Sequence, residues 1–73
     1  MFSREVFSMR MKLAREKTGK SQSAVARELG VTPTMVSDIE KGRRTTTLEH
    51  FADFVAYYGV SADYLLGFKD DPK

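Results

Sequence analysis

Cysteine and tryptophan are absent from the 73 residues, proline occurs twice and histidine once. Without cysteine there is no disulfide, no thiolate metal site and no cysteine nucleophile. The single histidine, His50, rules out a His-rich zinc site; its expected place is the surface of a helix, and no metal ligand set is expected anywhere. No apolar run approaches the roughly 20 residues needed to cross a bilayer. The N-terminus has no signal-peptide core, so the expected compartment is the cytoplasm. No stretch alternates with period two long enough to suggest a strand. Ser37, Asp38 and His50 are a conceivable nucleophile, orienter and base, but nothing in the spacing gathers them, and no catalysis or cofactor is expected.

What remains is small, unstapled and charged. A chain this short without disulfides or metal reaches stability most readily by packing helix on helix through local contacts. The expectation is one all-α domain over residues 1–73. The charge is uneven: residues 1–44 hold ten basic and five acidic groups, and residues 45–73 hold two and five. A basic part beside an acidic part suggests one face that meets a polyanion.

Glycines and caps divide the chain into five helices. Gly19, Gly30, Gly42, Gly59 and Gly67 fall at short intervals, as residues just past helix ends do. The first helix is expected from about Ser3 to Thr18, with Phe7, Met11, Ala14 and Thr18 on one face and Val6, Met9 and Leu13 widening it. The second runs from the N-cap Ser21 to Leu29, with Val25, Ala26 and Leu29 inward. The third starts with Thr32 as cap and Pro33 at the first helical position, and ends at Lys41, with Met35, Val36 and Ile39 inward. Arg43 to Thr47 read as a polar loop. Thr46 has capping-box spacing to Glu49, and Thr47 is an equal candidate for the cap. The fourth helix reaches Tyr58, with Leu48, Phe51, Val55 and Tyr58 on its apolar face. The fifth is short, from Ser61 to Leu66. Residues 68–73 read as a loose tail or the start of a linker. The four methionines are expected as core filler; Tyr57, Tyr64 and Phe68 fit either a core or a subunit contact.

The most informative stretch is Gln22 to Lys41. Two short helices meet at a tight turn centred on Gly30, and Ala26, four residues earlier, is small enough for a close crossing. Val36 and Ile39 return onto the second helix, while Thr34, Ser37, Asp38 and Lys41 face outward. That is helix-turn-helix geometry over residues 21–41, with the second helix of the pair held rigidly and its polar face free. No acid lies between Ser21 and Val25, although acids are favoured at helix starts. Ser21 and Ser23 therefore read as a phosphate dock on free N–H groups. Arg43 and Arg44, and with them Thr32 and Lys41, are candidate backbone contacts around the third helix. Arg10, Lys12, Lys17 and Lys20 read equally well as an ordinary solvated face.

The chain resembles the lambda-repressor-like (Cro/XRE-type) helix-turn-helix family over nearly its whole length. The matching residues are Arg15-Glu16-Lys17-Thr18-Gly19-Lys20-Ser21-Gln22, then Ala26-Arg27-Glu28-Leu29-Gly30-Val31 and Val36-Ser37-Asp38-Ile39-Glu40-Lys41-Gly42-Arg43. Leu48, Gly59-Val60-Ser61 and Asp63-Tyr64-Leu65-Leu66-Gly67 match the two closing helices. The resemblance implies a compact five-helix fold and sequence-specific binding of double-stranded DNA. It implies that Gln22 approaches a phosphate or base, and that Pro33, Thr34, Ser37 and Asp38 face the bases. It also implies a salt bridge of Arg15 with Glu40 between the first and third helices. Two departures stand out. The base-facing positions hold no long reader such as Gln or Arg, which shifts weight from direct to shape readout. Thr46 replaces the proline frequent before the fourth helix.

The function implied is a transcriptional regulator, foremost a repressor of phage or mobile-element type that occupies its operator. A weak homodimer, strengthened on DNA, would set two copies of the third helix about 34–36 Å apart on a near-palindrome with half-sites about ten base pairs apart. The candidate subunit contact joins Thr45, Thr46 and Thr47 to Phe68, with Asp70 and Asp71 opposing close approach. The rival readings are an antitoxin-type or restriction-controller regulator with a further protein partner, such as an antirepressor, and an interaction module that has lost DNA binding.

Overall fold

The computed structural model describes residues 1–73 as five helices and no strand: α1 (Arg4–Thr18), α2 (Gln22–Leu29), α3 (Pro33–Glu40), α4 (Leu48–Tyr58) and α5 (Ala62–Leu66). Each helix starts on a serine or threonine whose oxygen accepts an N–H of the first turn. Ser3 accepts from Val6, Ser21 from Ala24, Thr32 from Met35, Thr47 from His50 and Ser61 from Tyr64. A cap of this kind is worth about 1 kcal/mol, a large share of what an eight-residue helix has to hold it. The α4 cap is thus Thr47, and the hydroxyl of Thr46 is buried without a partner.

Two glycines shape the region of interest. Gly30 takes φ 71° between α2 and α3, a left-handed angle that resists side chains, and this turn sets the crossing of the pair. Gly42 takes φ 77° after α3, and a Cβ there would lie 3.5 Å from Ser8 Oγ on α1. The chain therefore leaves α3 against the side of α1.

The core gathers Phe7 and Met11 of α1, Val25 and Ala26 of α2, and Met35, Val36 and Ile39 of α3. Phe54 of α4 and Tyr64 and Leu65 of α5 complete it. Ala26 has no exposed surface, the small residue that the α2–α3 crossing requires.

Several inward expectations are corrected. Met9 and Leu13 are exposed. Met9 lies two residues, about 200°, beyond Phe7 on the helical wheel, so it leaves the core on the far side. Thr18 is also exposed; its hydroxyl donates to Arg15 O and accepts from Lys20 N, closing the helix end. Leu48 is 78% exposed, because at the first position of α4 it stands beyond the end of the core. Phe54, not Leu48, anchors α4. Only two of the four methionines, Met11 and Met35, fill the core; Met1 and Met9 face out. Tyr64 is buried, Tyr57 half-buried and Phe68 exposed. His50 is half-buried, with an unpartnered Nδ1.

The tail is not loose. Phe68 N donates to Asp63 O at 2.8 Å, and Pro72 O accepts from Ser61 N at 2.8 Å, so residues 68–72 fold back on α5. Arg10 of α1 holds the same segment. Its Nη1 donates to Tyr64 O at 2.6 Å and to Lys69 O at 2.7 Å, its Nη2 pairs with Asp70, and its guanidinium lies 4.4 Å from the Tyr64 ring centroid. Arg10 is a structural clasp rather than part of a solvated face.

Candidate nucleic-acid interface

The starts of α2 and α3 lie on either side of the Gly30 turn. In α2, Ala24 N is taken by the Ser21 hydroxyl and Val25 N by the Ser21 carbonyl. The N–H groups of Gln22 and Ser23 have no intrahelical acceptor, as the first N–H groups of a helix cannot. No acid stands in that turn, and Ser21 and Ser23 are exposed. Unpaired N–H groups and the positive helix end favour an anion there.

The α3 start is different. Pro33 has no N–H, Met35 N is taken by Thr32 Oγ1 and Val36 N by Thr32 O. Only Thr34 N is left. Pro33 and Thr34 are exposed, Ser37 and Asp38 half-exposed, and Met35, Val36 and Ile39 buried. One side of α3 is thus consumed by the core, and its other side carries only short side chains. Lys41, Arg43 and Arg44 follow, all exposed. Arg43 Nη1 lies 3.7 Å from Asp38 Oδ1, and Arg44 Nε donates to Thr45 O at 3.2 Å.

Behind this face sits an ion-pair network. Arg15 Nε donates to Glu40 Oε2 at 2.7 Å and Nη2 to Glu40 Oε1 at 3.1 Å, a two-pronged pair, while Nη1 donates to Lys20 O at 2.9 Å. The Glu40 side chain is 4% exposed. Gln22 Nε2 donates to the same Glu40 Oε1 at 3.1 Å. One carboxylate therefore ties α1, the first residue of α2 and the last of α3. The hydrogen bonds that Arg15 donates to Glu40 hold the arginine pKa above its usual value. Burial, and then the Glu40 charge, push the Tyr58 hydroxyl far above its ordinary 10. That hydroxyl has no hydrogen-bond partner.

This arrangement leaves the Gln22 side chain half-buried and turned inward, with its backbone N–H still free. Lys20 is also engaged: Nζ lies 3.0 Å from both Glu28 oxygens and 5.2 Å from the Tyr57 ring centroid. Tyr57 donates to Glu28 at 2.8 Å. Tyr57 and Glu28 hold the Lys20 ammonium above its usual pKa; Lys20 and then Tyr57 hold the Glu28 carboxyl below its own. The contacts of Arg10 with the tail and of Tyr57 with Glu28 join residues 29 to 60 apart in the chain, and no local spacing signals them.

The arrangement can do one thing plainly: present a rigid short helix, braced from behind, beside an anion-ready helix start and two exposed arginines. Among curated proteins, none matches the chain. Among solved structures, it is similar to a hypothetical transcription factor, NHTF, from Neisseria. The two are 36% identical, with a TM-score of 0.77 over 86% of this chain and 72% of that one. A family model of helix-turn-helix proteins matches residues 11–65, which span α2, α3, α4 and most of α1 and α5. With that match and this architecture, the chain belongs to the Cro/C1-type helix-turn-helix family of DNA-binding transcriptional regulators.

Proposed function

We propose that the protein is a repressor that binds a near-palindromic operator and acts by occupying it. The observation that carries this reading is the pairing of an unpacked outer face on α3 with an acid-free α2 start whose two N–H groups lack acceptors. In this reading Ser21, Ser23 and the Gln22 N–H hold one phosphate. Thr32, Lys41, Arg43 and Arg44 hold others, and Pro33, Thr34 and Ser37 face the bases, with Asp38 beside them. The Arg15–Glu40–Gln22 network keeps the two helices in the register that groove and backbone demand. No helix is long and apolar enough to cross a membrane.

The reading includes weak self-pairing that tightens on DNA. Thr45 and Thr46 line an apolar groove of about 290 Å³ with Phe2, Phe7, Leu48, Phe51 and Leu66, and Leu48 and Phe68 lie exposed. A two-fold contact at this surface uses the same patch on both copies. Asp70, tied to Arg10, brings less repulsion to that contact than a free carboxylate would.

The test is selection of duplexes from a random pool, followed by titration at several salt concentrations. An enriched, near-palindromic sequence supports the reading. In an Arg43→Ala, Arg44→Ala double variant the log–log salt slope should flatten by roughly 0.9 for each phosphate that is no longer neutralised. Failure to enrich any sequence, with no binding to random duplex at low salt, refutes it.

A further inference from the structure

Resting on that DNA-binding reading, we propose that α3 reads the C5-methyl groups of thymine through Pro33 and Thr34, and that Asp38 positions Arg43 instead of reading a base.

In the major groove, guanine and adenine are recognised mainly by long forked side chains, Arg or Lys on guanine and Asn or Gln on adenine. The outer face of α3 has none of these. Its exposed leading residues are Pro33 and Thr34. The proline ring has no donor or acceptor, and the threonine offers one methyl and one hydroxyl. The backbone adds little, because Pro33 has no N–H and the N–H groups of Met35 and Val36 are already taken by Thr32. The leading end of α3 is thus mainly apolar, whereas the leading end of α2 offers two unpaired N–H groups. The one apolar feature that a base pair shows in the major groove is the thymine methyl. An apolar, donor-poor tip is the surface that matches it.

Asp38 is the remaining candidate reader, for cytosine N4. Its carboxylate lies 3.7 Å from Arg43 Nη1, with the Arg43 N–H donating to the Asp38 carbonyl at 2.9 Å. Side chain and backbone both couple it to the arginine that leaves α3. The carboxylate that could accept from a cytosine N4 thus faces the Arg43 guanidinium.

The experiment uses the full chain and an operator selected from random duplex. Each thymine is replaced in turn by deoxyuridine, which removes the methyl and keeps the base pair. At one or two positions per half-site, affinity should fall about fourfold, the value of burying one methylene-sized group. Replacing cytosine by 5-methylcytosine at a position that prefers thymine should recover part of the affinity of the thymine operator. In a Pro33→Ala, Thr34→Ser double variant the deoxyuridine penalty should shrink, since only the small alanine methyl is left to meet the thymine methyl. Asp38→Asn should leave the base preference at every position unchanged and alter affinity by a common factor. An enriched operator indifferent to deoxyuridine at every position overturns the methyl reading while leaving DNA binding intact. A preference that disappears at a single C·G pair in Asp38→Asn overturns the positioning role. If no sequence is enriched and no duplex binds, the DNA-binding reading fails and this inference with it.

Discussion

Two arginines five residues apart on α1 meet different partners. Arg15 binds a carboxylate with both prongs, and that carboxylate is shielded and shared with Gln22. Arg10 also reaches a carboxylate, but Asp70 is fully exposed, and the stronger bonds of Arg10 go to two backbone carbonyls. Both arginines are themselves mostly covered. The difference lies in the partner. A shielded acid cannot return to water when its cation is removed, whereas a solvated acid can. The pairs look alike as distances and differ as energies.

The largest expected break is Glu40→Ala. It strands the Arg15 guanidinium and frees Gln22, and it should cost about 3–5 kcal/mol in urea unfolding. Equal stability to wild type would contradict the role given to this network. Arg10→Ala comes next. It removes two charge-assisted bonds and the contact with Tyr64, and should cost about 1.5–3 kcal/mol, with faster amide exchange over residues 68–72. Asp70→Ala should leave stability near that of wild type, since the acid contributes only an exposed pair. If Asp70→Ala matches Arg10→Ala, the clasp depends on the ion pair and not on the carbonyls.

The smallest effect concerns Tyr58, which lies in the field of the Glu40 charge. At pH 7, Tyr58→Phe should be neutral or slightly stabilising, because the hydroxyl it removes is buried without a partner. The pH dependence sharpens this. In the unfolded chain the hydroxyl loses its proton near its ordinary value of 10, while burial keeps it protonated to higher pH in the folded protein. Above pH 10 the folded state therefore binds more protons, and stability falls as pH rises; below 10 both states are protonated and this group adds no pH dependence. Thermal melts from pH 8 to 11 should show a smaller decline for Tyr58→Phe than for wild type.

The helix boundaries were legible because glycine and the Ser/Thr caps act within a few residues, and α2, α3 and α5 lie within a residue of their expected spans. The Arg15–Glu40 contact was accessible only through family resemblance, since 25 residues separate the partners. Where the sequence misled, the cause was long range. Met9, Leu13 and Leu48 extend apolar patterns along the chain, but which arc of a helix is covered depends on neighbours that no local window contains. Arg10 and the returning tail meet across 59 and 60 residues. Lys20 looked like one more solvated lysine until α4 brought Tyr57 beside it. At the candidate interface, the sequence offers Gln22 as a DNA contact but gives no sign that Glu40, 18 residues on, accepts from its side-chain amide.

The division of labour within α3 has a consequence for how such a protein diversifies. Met35, Val36, Ile39 and Glu40 hold the helix to the body, and Thr32 and Pro33 start it. Thr34 and Ser37 do none of this work. Random replacement at those two positions should yield libraries in which nearly every member folds, so that heritable change in partner preference can accumulate there with little loss of viable protein. The same property makes α3 a cassette: a chosen pair of side chains can be installed at Thr34 and Ser37 without re-engineering the scaffold that carries them.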